Sequence, residues 1–305
     1  MRRCPPLSPS ADPIPFDHGE SVFVSARDGL RLHVRAFGPH DSALMPLVCL
    51  PGLSRNSRDF LGLTAHFASR PKAPRRVYAM DFRGRGLSGY DRNWRNYNVM
   101  TEAEDVLSVL AALDIDRAIF VGTSRGGLVT MLLTAMRPGA IGAAILNDIG
   151  PAIEGAGLIQ IRLYLKKLPQ PRDWAEAIET QKAVMARSFT DLSEADWAFE
   201  ARARFREIDG AIRPDHDPAL VRTLTAIDPG DRLPTLWPQF AGLRSVPVLL
   251  LRGENSSLLA DQTAARMADI HPRLTRADIA GQGHAPMLHT SRALKAIEAF
   301  VGGLR

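Results

Sequence analysis

Cysteine is scarce: the 305 residues include only Cys4 and Cys49. Two are too few for a disulfide scaffold and suit a reducing compartment. Long apolar runs are missing too. The greasiest stretch, Val246–Leu251, is strand-sized and far short of the ~18 residues a membrane span needs. Arg2 and Arg3 precede a proline-rich segment, Cys4–Pro15, with no apolar centre, which argues against a secretory signal. Neither sign of charge dominates, since 38 Lys and Arg face 33 Asp and Glu, a net charge of +5. The basic residues are scattered, and the densest group, Arg70–Arg76, is broken by Pro71 and Pro74. A nucleic-acid surface is therefore not expected. The histidines lack metal-ligand spacing. The expectation is a soluble, cytoplasmic protein.

What is present has a globular balance, 45% apolar and 23% charged. The first twenty residues read as a loosely held arm. Ser21–Ala26 and Leu30–Phe37 flank Asp28-Gly29, a hairpin turn signal. Short apolar runs follow at Leu47–Leu50, Val77–Met80, Ala118–Val121 and Ala140–Leu146. Met100–Leu113 reads as a helix opened by a capping box of Thr101 and Glu104, with Val106, Leu107, Leu110 and Leu113 on one face. Leu128–Met136 is helical as well. From Gly150-Pro151 to about Pro238 no convincing strand is legible, and Trp174–Arg187 and Ser193–Phe205 carry helical periodicity. Strand-like runs return at Val246–Leu251 and Thr275–Ile279, with a closing helix marked by Leu294, Ile297, Phe300 and Val301. Strands alternating with helices predict an α/β fold: a mostly parallel sheet covered on both faces. Residues 1–150 and 239–305 would form it, interrupted by a helical insertion over 151–238 after the sixth strand.

The sharpest chemical signal is Gly122-Thr123-Ser124-Arg125-Gly126-Gly127, set between a strand and a helix. A serine hydroxyl attacks poorly unless it is presented to a base in a site poor in water. A tight strand–turn–helix lifts its oxygen above the sheet edge, and flanking glycines are required where a Cβ would collide with strand or helix. The turn also aims backbone N–H groups at a developing oxyanion. His284, in the glycine-rich loop Gly281–Pro286 beyond the last strand, can reach the same edge as a general base.

Around this turn the chain resembles the α/β-hydrolase family. Asp81-Phe82-Arg83-Gly84-Arg85-Gly86-Leu87-Ser88 is similar to its D-x-R-G-x-G-x-S turn, and Gly281-Gln282-Gly283-His284-Ala285-Pro286 to its histidine loop. Leu50-Pro51-Gly52-Leu53 stands where the family has its oxyanion-hole turn, with Pro51 replacing the usual histidine. The resemblance implies Ser124 as nucleophile, His284 as base, and the amides of Leu53 and Arg125 as the oxyanion hole. Asp81, Arg83, Gly84, Gly86 and Ser88 read as structural, and His289 as a surface or helix-capping residue. The insertion resembles the family's cap, with Leu158, Ile161, Leu165, Trp174, Trp197 and Trp237 as pocket candidates.

The acid departs from the pattern. Relatives carry an aspartate after the penultimate strand, where this chain reads Gly253-Glu254-Asn255-Ser256-Ser257, so that Ser257 occupies the usual acid position. Loss of the carboxylate costs about 10⁴ in kcat in a serine protease. Three readings stay open: Asp148, just after the sixth strand, supplies it; Glu254 reaches across; or the acid is missing. The resemblance implies a serine-dependent hydrolase of small or medium carboxylic esters or lactones, with no cofactor or metal, no nucleic-acid or membrane partner, and homo-oligomerisation left open. The alternatives are a carbon–carbon bond hydrolase, a cofactor-free haloperoxidase-like enzyme, or a catalytically impaired ligand-binding member.

Overall fold

A computed structural model describes residues 18–166, 170–226 and 233–304. The proline-rich arm and Cys4 lie outside the described residues as far as residue 17. The first half of the chain supplies β1 (Glu20–Ser25), β2 (Arg31–Phe37), β3 (Leu47–Leu50), α1 (Leu61–Ala68), β4 (Val77–Asp81), α2 (Val99–Ala112), β5 (Ala118–Thr123), α3 (Arg125–Met136) and β6 (Ile141–Asn147). The insertion holds α4 (Gly155–Lys166), α5 (Trp174–Met185), α6 (Glu194–Arg204), β7 (Phe205–Ile208), β8 (Ala211–Pro214), α7 (Val221–Thr225) and α8 (Trp237–Ala241). The chain then closes with β9 (Val248–Gly253), α9 (Asp261–Ile270), β10 (Leu274–Ile279) and α10 (Ser291–Gly302).

Eight strands form one sheet in the order β1-β2-β4-β3-β5-β6-β9-β10. The two pairs that β2 makes are antiparallel, and the remaining pairs are parallel. Alternation along the central strands divides the core in two. Phe120, Leu146, Val248 and Leu250 face a layer that includes residues of α2, α3, α8 and α9. Ile119, Val121, Ile145, Leu249 and Leu251 face α1 and α10. Each such side chain, removed from water, stabilises the fold by roughly 1.5–3 kcal/mol. Because both faces are covered, these strands read as continuous apolar runs rather than alternating ones.

Two local readings change. The cap of α2 is Asn98, whose Oδ1 accepts the N–H groups of Met100 and Thr101, both at 3.0 Å. Thr101 is thus already inside the helix, and the expected Thr101–Glu104 capping box does not form its start. The insertion is not purely helical either. β7 and β8 pair antiparallel around Asp209 and Gly210, whose φ values of 51° and 75° suit a tight primed turn. The sequence carries this Asp-Gly turn signal, but strands of four residues beside a helix show little periodicity. At the base of the insertion, Leu236 N–H donates to Pro151 O at 2.7 Å, joining its outgoing and returning ends.

Candidate active site

Ser124 stands between β5 and α3 with φ 50° and ψ −112°, a conformation that is costly for any residue with a side chain. Close packing enforces it. A Cβ on Gly122 would lie 2.6 Å from the Gly126 backbone, and one on Gly126 would lie 2.1 Å from Leu50 O. These two glycines let helix and strands approach, and the turn between them projects the serine. Its Oγ lies 2.8 Å from His284 Nε2.

His284 comes from the loop after β10, and neighbours hold that loop in place. Glu254 accepts the Gly281 N–H at 2.8 Å. Asn147 Nδ2 donates to Pro286 O at 2.9 Å and to Thr123 Oγ1 at 3.1 Å, bracing the histidine loop against the nucleophile strand. On the far side of the imidazole, Nδ1 lies 2.8 Å from Asp148 Oδ2. Asp148 is fully buried, directly after β6, with φ 55°. Its N–H donates to Leu251 O at 2.7 Å, and its Oδ1 accepts the Gly253 N–H at 2.9 Å. A carboxylate at Nδ1 keeps the proton there, leaving Nε2 free to accept from the serine hydroxyl.

Of the three readings for the acid, the geometry brings only Asp148 to His284. Glu254 is engaged with the loop backbone, and Ser257 Oγ donates to Gln160 Oε1 of α4 at 2.9 Å. The Leu53 and Arg125 amides make no hydrogen bond to a protein acceptor among the described residues. Arg125 opens α3, where a helix leaves its first N–H groups unpaired. The loop of Leu53 is close by, since a Cβ built on Gly52 would lie 3.9 Å from Ser124 Cβ.

Ser124 and His284 open into a cavity of about 250 Å³ between sheet edge and insertion. Apolar side chains, including Val184, Phe189, Phe199 and Met287, make up much of its wall. Of the pocket candidates, only Ile161 lines it. Leu158 and Leu165 do not, Trp197 packs with Phe189 and Met287, Trp174 packs within the insertion, and Trp237 packs edge-on against Phe240 of the same helix, α8. His289 is not a surface residue: it lines the cavity, with its ring 4.2 Å from that of Phe199 and Nε2 3.0 Å from Asp196 Oδ1. Burial lowers its pKa, against the opposing pull of Asp196.

The cavity wall also contains a row of alternating charges that the sequence did not reveal. Arg55 pairs with Asp59 at 2.6 Å and with Glu200 at 2.6 Å, and Glu200 pairs with Arg204 at 2.7 Å. Burial alone would raise the Glu200 carboxyl, yet the two arginines hold it at about 2. Burial pushes Asp59 upward despite Arg55. The row ties α6 to the loop that follows β3.

Fold and site together describe an α/β enzyme that presents a serine, backed by a histidine and an aspartate, at the carboxyl edge of its sheet. A model of the alpha/beta hydrolase family matches residues 47–298, and the chain belongs to that family. It is 28% identical to a 3-hydroxybutyrate-oligomer hydrolase of Cupriavidus necator over 87% of this chain and 91% of that protein. It is 25% identical to a 2-(acetamidomethylene)succinate hydrolase of Mesorhizobium japonicum, over 82% and 85% of the two chains. Among solved structures, an alpha/beta hydrolase from Novosphingobium aromaticivorans superposes with a TM-score of 0.86 at 35% identity, covering 93% of this chain and 98% of that one. The protein is an enzyme of this family. Among the described residues, no helix is long and apolar enough to cross a membrane.

Proposed function

We propose that the protein hydrolyses small or medium carboxylic esters or lactones through an acyl-enzyme, with Ser124 as nucleophile, His284 as base and Asp148 as its carboxylate partner. The observation that carries this reading is the unbroken contact chain from Asp148 Oδ2 through His284 to Ser124 Oγ, with both links at 2.8 Å. Ser124 Oγ attacks the carbonyl carbon as His284 Nε2 takes its proton. The N–H groups of Leu53 and Arg125 hold the resulting oxyanion. His284 then protonates the leaving alkoxide, and water, deprotonated by the same imidazole, releases the acid. The buried aspartate holds the tautomer and stabilises the imidazolium. The impaired, ligand-binding alternative rested on a missing acid, and the contact of Asp148 with His284 supports the catalytic reading over it.

Apolar walls around a cavity of about 250 Å³ favour a short acyl chain. The similarity to a 3-hydroxybutyrate-oligomer hydrolase makes short hydroxyacid oligoesters the first natural substrates to try. The test is hydrolysis of p-nitrophenyl acetate and butyrate, and of a linear 3-hydroxybutyrate dimer, by the protein and by Ser124→Ala. Turnover that vanishes in Ser124→Ala supports the reading. Turnover that survives the substitution overturns it.

A further inference from the structure

The residue after the nucleophile and the loop opposite it are joined beneath the surface by a single carboxylate. Glu102, on the first turn of α2, is fully buried. Its Oε2 accepts from Arg125 Nε at 2.5 Å, and its Oε1 forms an ion pair with Arg85 Nη1 at 2.8 Å. Arg85, also fully buried, donates from Nε to the carbonyl of Leu53 at 2.7 Å. Arg125 donates from Nη2 to Tyr97 O at 2.8 Å. The contacts therefore run from Leu53 through Arg85 and Glu102 to Arg125, the two residues whose amides flank the serine.

We infer that Glu102 and Arg85 are positioning residues that clamp the two oxyanion-hole amides at a fixed separation. This rests on the function proposed above. Anchoring the Leu53 carbonyl restrains that residue's ψ and, with it, the turn that aims its N–H. Gripping the Arg125 side chain holds the first turn of α3 against α2. Each amide sits on a turn, and turns move unless something ties them down. A misplacement of about 1 Å in such a site costs on the order of 10²-fold in rate. The insertion meets the same clamp. Arg85 bridges to His216 through the backbone, Gly86 N–H donates to Asp215 O at 3.1 Å, and Asp217 N–H donates to Gly84 O at 2.7 Å. The stretch 215–217 thus seats the loop that carries Arg85.

The roles of charge and position separate by sign. Two guanidinium groups share one carboxylate here. If charge alone mattered, Glu102→Gln would leave more positive charge near the oxyanion and would speed the reaction. A clamp predicts the opposite.

The probe is an alkyl fluorophosphonate, which needs no knowledge of the natural substrate. Ser124 Oγ bonds to phosphorus, fluoride leaves, the hydroxyl proton passes to His284, and the phosphoryl oxygen occupies the oxyanion hole. Labelling is followed by intact mass, with Ser124→Ala as the blank. Glu102→Gln is expected to lower the second-order labelling rate about 10- to 100-fold and kcat on p-nitrophenyl butyrate in parallel, with KM within about threefold. If Glu102→Gln does not fold, Arg125→Met and Arg125→Lys carry the test. Arg125 is partly exposed, and the lysine, which can still reach Glu102, should retain more of the rate than the methionine. A folded Glu102→Gln or Arg125→Met that labels at the unaltered rate, or whose loss lies wholly in KM, overturns the clamp and leaves the proposed function standing. Absence of any label on Ser124 in the unaltered protein overturns both.

Discussion

Asp148 lies 136 residues from His284 in the chain, yet its Oδ2 is 2.8 Å from the imidazole Nδ1 while its Oδ1 takes the N–H of Gly253. The pairing of β6 with β9 produces this, because Asn147 registers opposite Leu251 and sets the next residue beside the start of the β9 loop. Asp148→Asn keeps the shape but removes the charge and favours the wrong imidazole tautomer. Its kcat should fall by about 10³–10⁴ with KM little changed. Steady-state kinetics on p-nitrophenyl butyrate check this, and a loss below tenfold would mean that another group partners the histidine.

Ser257→Asp is the complementary variant. If the chain lacked an acid, restoring one at the family's usual position would raise kcat by orders of magnitude. Here His284 Nδ1 is already engaged, and residue 257 contacts Gln160. The expected result is a rate within about threefold of the unaltered protein, since no new partner reaches the imidazole. A large gain would move the acid to position 257.

Asp81 and Glu200 should each lose their contribution to stability in acid. Asp81 is buried, and burial alone would raise its carboxyl. His33 Nδ1 at 2.7 Å and the amides of Ser57 and Leu87 hold it at about 2 instead. Glu200 is likewise held at about 2 from an ordinary value of 4.5. Both folded-state values are depressed, so both contributions are fully present above about pH 4.5 and are lost as pH falls toward 2. The Asp81 contribution, from 3.8 to about 2, corresponds to about 2 kcal/mol. Thermal melts between pH 2 and 6 should show this loss, and Asp81→Asn should flatten its lower part. A melt independent of pH over that range would contradict it.

Removing one member of the buried charge row should be costly. Glu200→Ala leaves Arg55 and Arg204 without their shared carboxylate, and breaking such a pair costs about 3–5 kcal/mol. Urea unfolding should show a lower midpoint. Hydrogen exchange should rise first in α6 and in the loop that follows β3, the two segments the row joins. Uniformly unchanged exchange would show that the row does not hold the insertion down.

Legibility followed the range of the interaction. Ser124, its glycines and the strand–turn–helix around it could be read because the constraint lies within six residues. His284 could be read from the glycine-rich loop that carries it. The Asp209-Gly210 hairpin is equally local, but its four-residue strands leave no period to count. Asn147, Arg55, Glu200 and Glu102 were invisible as site residues. Their partners lie on other elements, and nothing near them in the chain marks which side chain each will meet.

The alternation of strands and helices, the presentation of the serine and the late histidine follow from short stretches of sequence, since hydrophobic period and turn chemistry are written locally. Which carboxylate meets the histidine, which residues wall the cavity and how Arg85 and Arg125 come to share Glu102 follow only from the packed chain. Those choices depend on strand register and on how the insertion seats, and such contacts form only when distant segments are packed against one another.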